Sequence, residues 1–286
     1  MPPRVPAFGR AFAPCLVLAL LCGSAFAIEA RTAVKTHKSG ILAVCLYPGF
    51  APFVSKDEHG QWVGWDVSYL EDFAKQEKLT FQPVEVKDFN GIWNLPGKDE
   101  FECDIAASGI SDTADRRKET GAAGDWSDHY YRVVRAFVVR YSDRDKLDGI
   151  CDLRGKKVIV TGNSTANTDL VNRLKFADIK SVTIETTTNE EDAAKLVRDG
   201  LGPDAPFAYG GGLGSVQLVA AKLGCLSVVW PHCNMLANGE QADEPFSFVV
   251  RHADTGLADA LNKYIAHPTE PYEGGPGPDM KCPPAP

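Results

Sequence analysis

The residues Ser108-Gly-Ile-Ser-Asp-Thr-Ala-Asp-Arg-Arg-Lys118 crowd two serines, a threonine, two acids and three bases into eleven positions, directly after the short apolar run Cys103-Asp-Ile-Ala-Ala. If that run is a strand, Ser108, Gly109 and Ser111 stand at its carboxyl end, and Asp112 or Thr113 can cap a following helix that carries Arg116 on its first turn. Backbone N–H groups, hydroxyls and a guanidinium converging at one strand-to-helix junction suit a carboxylate or phosphate. The same residues also suit an ordinary capped helix with Arg116, Arg117 and Lys118 as a solvated face.

Three further junctions carry candidate chemistry. Val160-Thr-Gly-Asn-Ser-Thr-Ala-Asn repeats the hydroxyl pattern with Ser164 and Thr165, again open to a capping reading. Tyr47-Pro-Gly-Phe-Ala-Pro-Phe offers Tyr47, Phe50 and Phe53, and Lys87-Asp-Phe-Asn-Gly-Ile-Trp offers Phe89 and Trp93; aromatic side chains line small-molecule pockets, though plain core is their commoner fate. The glycines at 210, 211, 212 and 214 lack the Lys-Ser/Thr of a phosphate loop, so close backbone approach is the better reading. No Ser-His-Asp or Cys-His set, CxxC, HxxxH or HExxH spacing occurs, so neither metal nor cofactor is expected.

Alternating strand and helix signals must position these junctions. GILAVCLYP reads as a strand, DVSYLEDFAKQEK as a helix with Val67, Leu70 and Phe73 at helical spacing, LTFQPVEV as a strand, CDIAASG as a strand and TADRRK as a helix. The pattern restarts after VVRAFVVR with a strand in LRGKKVIVTG, a helix in STANTDLVNRLKF, a strand in SVTIETTT, a helix in NEEDAAKLVRDG and a strand in APFAYGG. Two such units predict two α/β lobes, with ligand chemistry beyond the carboxyl ends of their strands.

Composition narrows the partners. Arg4, Arg10, the apolar run Pro14-CLVLALLC and small Ala25 and Ala27 predict a cleaved secretory signal over residues 1–27. Its removal takes away two bases and leaves 28 Lys+Arg against 38 Asp+Glu, a balance of −10 that offers nucleic acid no basic surface. Six cysteines remain, Cys45, Cys103, Cys151, Cys225, Cys233 and Cys282; in an exported chain they predict disulfides, with fifteen possible pairings. The Pro/Gly-rich residues 271–286 predict an irregular surface tail.

Taken in order, LAVCLYPGFAPF, WVGWDVSYLEDFA, DFNGIW, CDIAASGISDTADRRK, DWSDHYYRVVRAFVVR, DLRGKKVIVTGNSTA and EPFSFVVRHADTGLADALNKYI resemble the extracytoplasmic solute-binding proteins of amino-acid-type ABC importers, over about residues 40 to 265. The resemblance implies the type II periplasmic-binding-protein fold: two mostly parallel sheets with flanking helices and a cleft that closes by a hinge. Lobe 1 would comprise residues 36–131 and 240–270, and lobe 2 residues 134–237. It implies a monomeric periplasmic protein, not an enzyme, that binds a small carboxylate-bearing solute for a membrane permease. By the same resemblance Ser108, Gly109, Ser111 and Arg116 hold the carboxylate, Phe50 and Phe89 flank the ligand, and Ser164 and Thr165 close on it. Asp66 would cap a helix. Tyr209 stands where relatives carry an acid for the ligand's ammonium group, and Tyr47 where some relatives recognising basic side chains carry one, which together disfavour a basic amino acid. Two other readings stay open: an accessory or sensor docking to another periplasmic protein such as a quinoprotein dehydrogenase, and an enzyme resembling cyclohexadienyl dehydratase.

Overall fold

The computed structural model describes residues 34–267. The expected signal at 1–27, the tail and Cys282 therefore lie outside the described residues.

The run Ile41–Leu46 is apolar on both faces because it becomes an inner strand covered on both sides. Leu42, Val44 and Leu46 face helix α1 (Trp65–Gln76) and helix α6 (Leu257–Ala266), meeting Val67, Leu70, Phe73, Leu261 and Tyr264. Ala43 and Cys45 face the opposite way, into Phe89, Ile92 and Trp93. A period of two thus separates two cores from one strand.

The first sheet has the order Thr80–Glu85, Ile41–Leu46, Ile105–Ala106, Val249–Arg251, Gly124–Trp126. Its first three strands are parallel, Val249–Arg251 runs against them, and Gly124–Trp126 runs with them again. The second sheet repeats this scheme in the order Thr183–Thr187, Lys157–Thr161, Ala208–Gly212, Arg135–Arg140, Leu226–His232, with Arg135–Arg140 the reversed strand. Four strands in five point one way in each sheet, which is a mostly parallel, two-lobed α/β fold.

Helix α2 (Ala114–Thr120) follows the first sheet's Ile105–Ala106 strand; helices α3 (Thr165–Phe176), α4 (Glu190–Asp199) and α5 (Leu213–Leu223) pack on the second sheet. Between the sheets, Tyr131–Val133 and Glu244–Phe246 form an antiparallel ribbon, Glu244 opposite Val133, gathered around Phe53, Tyr131 and Phe246. Chain crossing there in both directions explains the reversed strand in each sheet.

Among the elements beyond the sequence expectations, α5 and the strand Leu226–His232 are the longest. The glycines before α5 disguised them. A Cβ on Gly210 would come 2.7 Å from the Phe137 ring, so the glycine marks close approach inside a strand. Cys45 and Cys103 form a disulfide, Cys233 is also disulfide-bonded, and Cys151 and Cys225 are free and exposed. No helix among the described residues is long and apolar enough to cross a membrane.

Candidate functional site

The strand Ile105–Ala106 ends in a turn that places Ser108 at φ 95° and Gly109 at φ 60°. Left-handed backbone is costly for serine, so something must hold it. Both N–H groups donate to Asp66 Oδ2, each at 2.8 Å, while the Tyr130 hydroxyl donates to Oδ1 at 2.9 Å. Asp66 is therefore not the cap of α1, whose N-cap is Gly64; it sits in the first turn and turns inward to fix the neighbouring loop. The reason is donor supply: the two N–H groups freed at the strand end are buried and need an acceptor. Burial pushes the Asp66 pKa up to about 6, against the pull of those three hydrogen bonds. Ser108 Oγ is likewise engaged in the scaffold, accepting from the Tyr47 N–H at 2.8 Å. Gly109 admits no side chain, because a Cβ would lie 2.3 Å from the Phe50 ring.

Beyond this turn the polar groups converge. Ser111 Oγ and Thr165 Oγ1 are 3.0 Å apart, one from the junction before α2 and the other from the start of α3. Both donate to Glu244 Oε1. Arg135 grips the same carboxylate, with Nε donating to Oε2 at 2.8 Å and Nη2 to Oε1, and Nη2 also reaches Thr165 Oγ1. Arg135 and Glu244 are almost completely buried, and each is charged relief for the other.

Arg116 is set apart from its neighbours, as Arg117 pairs with Asp112 at the surface. Thr113 caps α2 by accepting the Arg116 N–H at 3.3 Å. The Arg116 guanidinium lies 4.3 Å from the Trp93 ring centroid and 5.5 Å from that of Phe89, and Nη1 donates to the Ser111 carbonyl at 3.1 Å. Burial lowers its pKa to about 10, with Glu244 pulling the other way and Arg135 adding to the fall.

Ser111, Thr165 and Arg135 line a cavity of about 20 Å³, room for about one water, with Glu244 just outside the lining. Tyr47, Phe50, Phe89 and Phe246 form its aromatic wall; Gly109, Ser111, Ser164, Thr165, Arg135 and Glu190 are among the residues of its other walls. The Tyr47 hydroxyl donates to the Thr188 carbonyl at 2.7 Å, joining the two sides. Ser164 caps α3, accepting from the Asn167 N–H and donating to the Thr161 carbonyl. Of the residues expected at a ligand, Tyr47, Phe50, Phe89, Gly109, Ser111, Ser164 and Thr165 line the cavity. Ser108, Arg116 and Tyr209 do not.

Tyr209 is fully buried, and its hydroxyl donates at 2.7 Å to Oε1 of Glu190, a cavity-lining residue. Glu190 Oε2 and the Ser215 hydroxyl are buried with no hydrogen bond of full geometry, and the hydroxyl lies near enough to favour the charged carboxylate weakly. Burial pushes the Glu190 pKa up to about 7, with Tyr209, Arg135 and Ser215 pulling it back. An acid thus reaches this end of the cavity from α4 rather than from the strand that carries Tyr209. Its sequence signal is helical phase: Glu190 heads the stripe Ala193, Ala194, Val197 on the buried face of α4. Arg135, also missed, is a charge interrupting the apolar run Val133-Val-Arg-Ala-Phe-Val-Val139, whereas Glu244 stands beside Asp243 with no local pattern to set it apart.

Residues 42–271 match the bacterial extracellular solute-binding proteins, family 3. The chain belongs to this family. Among curated relatives it is 34% identical over 91 residues to an arginine-binding protein, ArgT, of Corynebacterium glutamicum, spanning 32% of this chain and 29% of that one. It is 30% identical over 155 residues to a probable histidine-binding protein of Neisseria gonorrhoeae, spanning 52% and 53%. The matched regions cover about half or less of those relatives. The arginine-bound form of truncated ArgBP from T. maritima superimposes with a TM-score of 0.62 over 79% of this chain and 95% of that one, at 24% identity, and so shows the shared fold.

Proposed function

We propose that this family 3 protein binds a small carboxylate-bearing solute, an amino acid or related small acid, in the periplasm and delivers it to an ABC-type importer by hinge closure, without catalysing a reaction on it. The observation that carries the reading is the meeting of Ser111 and Thr165, donors from two opposed strand-to-helix junctions, beside buried Arg135 on an aromatic-walled cavity. Such a cluster supplies the charge and hydroxyl protons that a carboxylate accepts. Arg116 supports the anion site from behind Phe89 and Ser111, by charge and packing. A solute of amino-acid size enters when the two sides part. Tyr47, Phe50 and Phe89 then flank it, while Ser108 and Gly109 hold the turn.

The unpartnered oxygen of Glu190 adds an acceptor for an ammonium or amide N–H, so an α-amino group is accommodated despite Tyr209. Mass spectrometry of solutes carried through native purification, followed by calorimetry with L-histidine, L-arginine and succinate, tests the reading. Binding of at least one carboxylate, weakened by Ser111→Ala, is the expected result; no carried solute and no heat from any of the three would refute it.

One observation favours the second reading, an accessory or sensor that docks to another periplasmic protein: Glu244 already satisfies the hydroxyls a solute would need. Glu190, with a pKa near 7, is also suited to donate a proton, so turnover of a cyclohexadienyl substrate belongs in the same test, with none expected.

A further inference from the structure

Glu244 stands on the ribbon between the lobes, yet its carboxylate does what a bound solute's carboxylate would do. Each hydroxyl has a single proton to donate, and both Ser111 and Thr165 direct theirs at Glu244 Oε1. The carboxylate's two oxygens collect four donations in all, counting Nε and Nη2 of Arg135. Ser111 rides on the first lobe and Thr165 on the second, so moving the lobes apart must break a buried hydrogen bond to a charged group on at least one side.

We propose that Glu244 is an internal carboxylate latch: it closes the cleft by holding Ser111 and Thr165 on one oxygen, and it competes with a solute's carboxylate for the same hydroxyl protons. The closing half stands by itself; the competing half rests on the carboxylate-solute reading above. A solute acid therefore binds by exchange with Glu244, and affinity is set by the difference between two carboxylates in one place. The neighbouring Arg135 stays neutralised in both arrangements.

The test compares the full mature chain, shown by native mass spectrometry to carry no solute, with Thr165→Val and Glu244→Gln. Thr165→Val keeps the Arg135–Glu244 pair and removes only the second-lobe hydroxyl, so it guards against misfolding of the Glu244 variant. Small-angle scattering is expected to show a compact wild type and a larger radius of gyration for both variants. Calorimetry with L-histidine is expected to show affinity raised about tenfold or more by Glu244→Gln, the scale of a lost hydrogen bond to a charge. A wild type as expanded as its variants overturns the latch, and a wild type that binds L-histidine no more weakly than Glu244→Gln overturns the competition. If none of the three binds L-histidine, L-arginine or succinate but compactness still differs as expected, the solute reading falls and the latch stands.

Discussion

At the residue scale, two buried acids do opposite work. Asp66 satisfies three donors and holds Ser108 in a left-handed conformation that serine alone would avoid. Asp66→Ala is expected to cost about 3 kcal/mol, since it strands buried N–H groups and releases the turn; chemical denaturation of the variant measures it, and a loss under 1 kcal/mol would contradict the assignment. Glu190 is under-satisfied instead. Its pKa is raised from an ordinary carboxyl value of 4.5 to about 7, so the folded state binds its proton more tightly than the unfolded chain. The stability this provides is fully present below pH 4.5 and is lost as pH rises through about 7, amounting to about 3 kcal/mol at the upper limit. Glu190→Gln should therefore gain on the wild type in melting temperature between pH 5 and pH 8. A constant difference across that range would show that Glu190 does not titrate there. By the same sign, a solute that places a cation beside Glu190 should bind more tightly as pH rises through 7.

At the element scale, the Cys45–Cys103 disulfide ties strand Ile41–Leu46 to the start of the strand that ends in the Ser108 turn, across 58 residues of sequence. Replacing both cysteines with alanine is expected to cost about 2–4 kcal/mol in thermal or denaturant unfolding. Elements whose cores follow a plain period were legible in the sequence: Val67, Leu70 and Phe73 of α1 lie on one buried face, and the run Ile41–Leu46 is the strand it reads as. The hydroxyl junctions at Ser111 and Thr165 were legible too, because capping residues mark where strands hand over to helices. Their partners were not. Glu244 and Arg135 meet across 109 residues, and no local pattern states which charge will neutralise which. Asp66 was misread for the same reason: its own helix suggested a cap, while its partners lie 42 and 43 residues away.

At the scale of the whole molecule, the cleft is joined at two places. Glu244 gathers Ser111 and Thr165 from both sides, and the Tyr47 hydroxyl, on the aromatic wall, bonds to the Thr188 carbonyl at 2.7 Å. If closure retains a bound solute, removing that second bond should speed release more than capture. Tyr47→Phe is expected to raise the dissociation rate about fivefold, from one net hydrogen bond, with the association rate within twofold of wild type. Stopped-flow measurement with the solute identified by mass spectrometry decides this; an unchanged dissociation rate would remove Tyr47 from the closing machinery.

The strand order carries a consequence for how the chain matures. Val249–Arg251 lies between Ile105–Ala106 and Gly124–Trp126, so the first sheet is missing an interior member until almost the whole sequence is available. The second sheet draws every strand from residues 135–232 and has no such wait. A chain emerging from its N-terminus can therefore complete its later half first. Its earlier half stays open to chaperones or proteases until the last strand arrives.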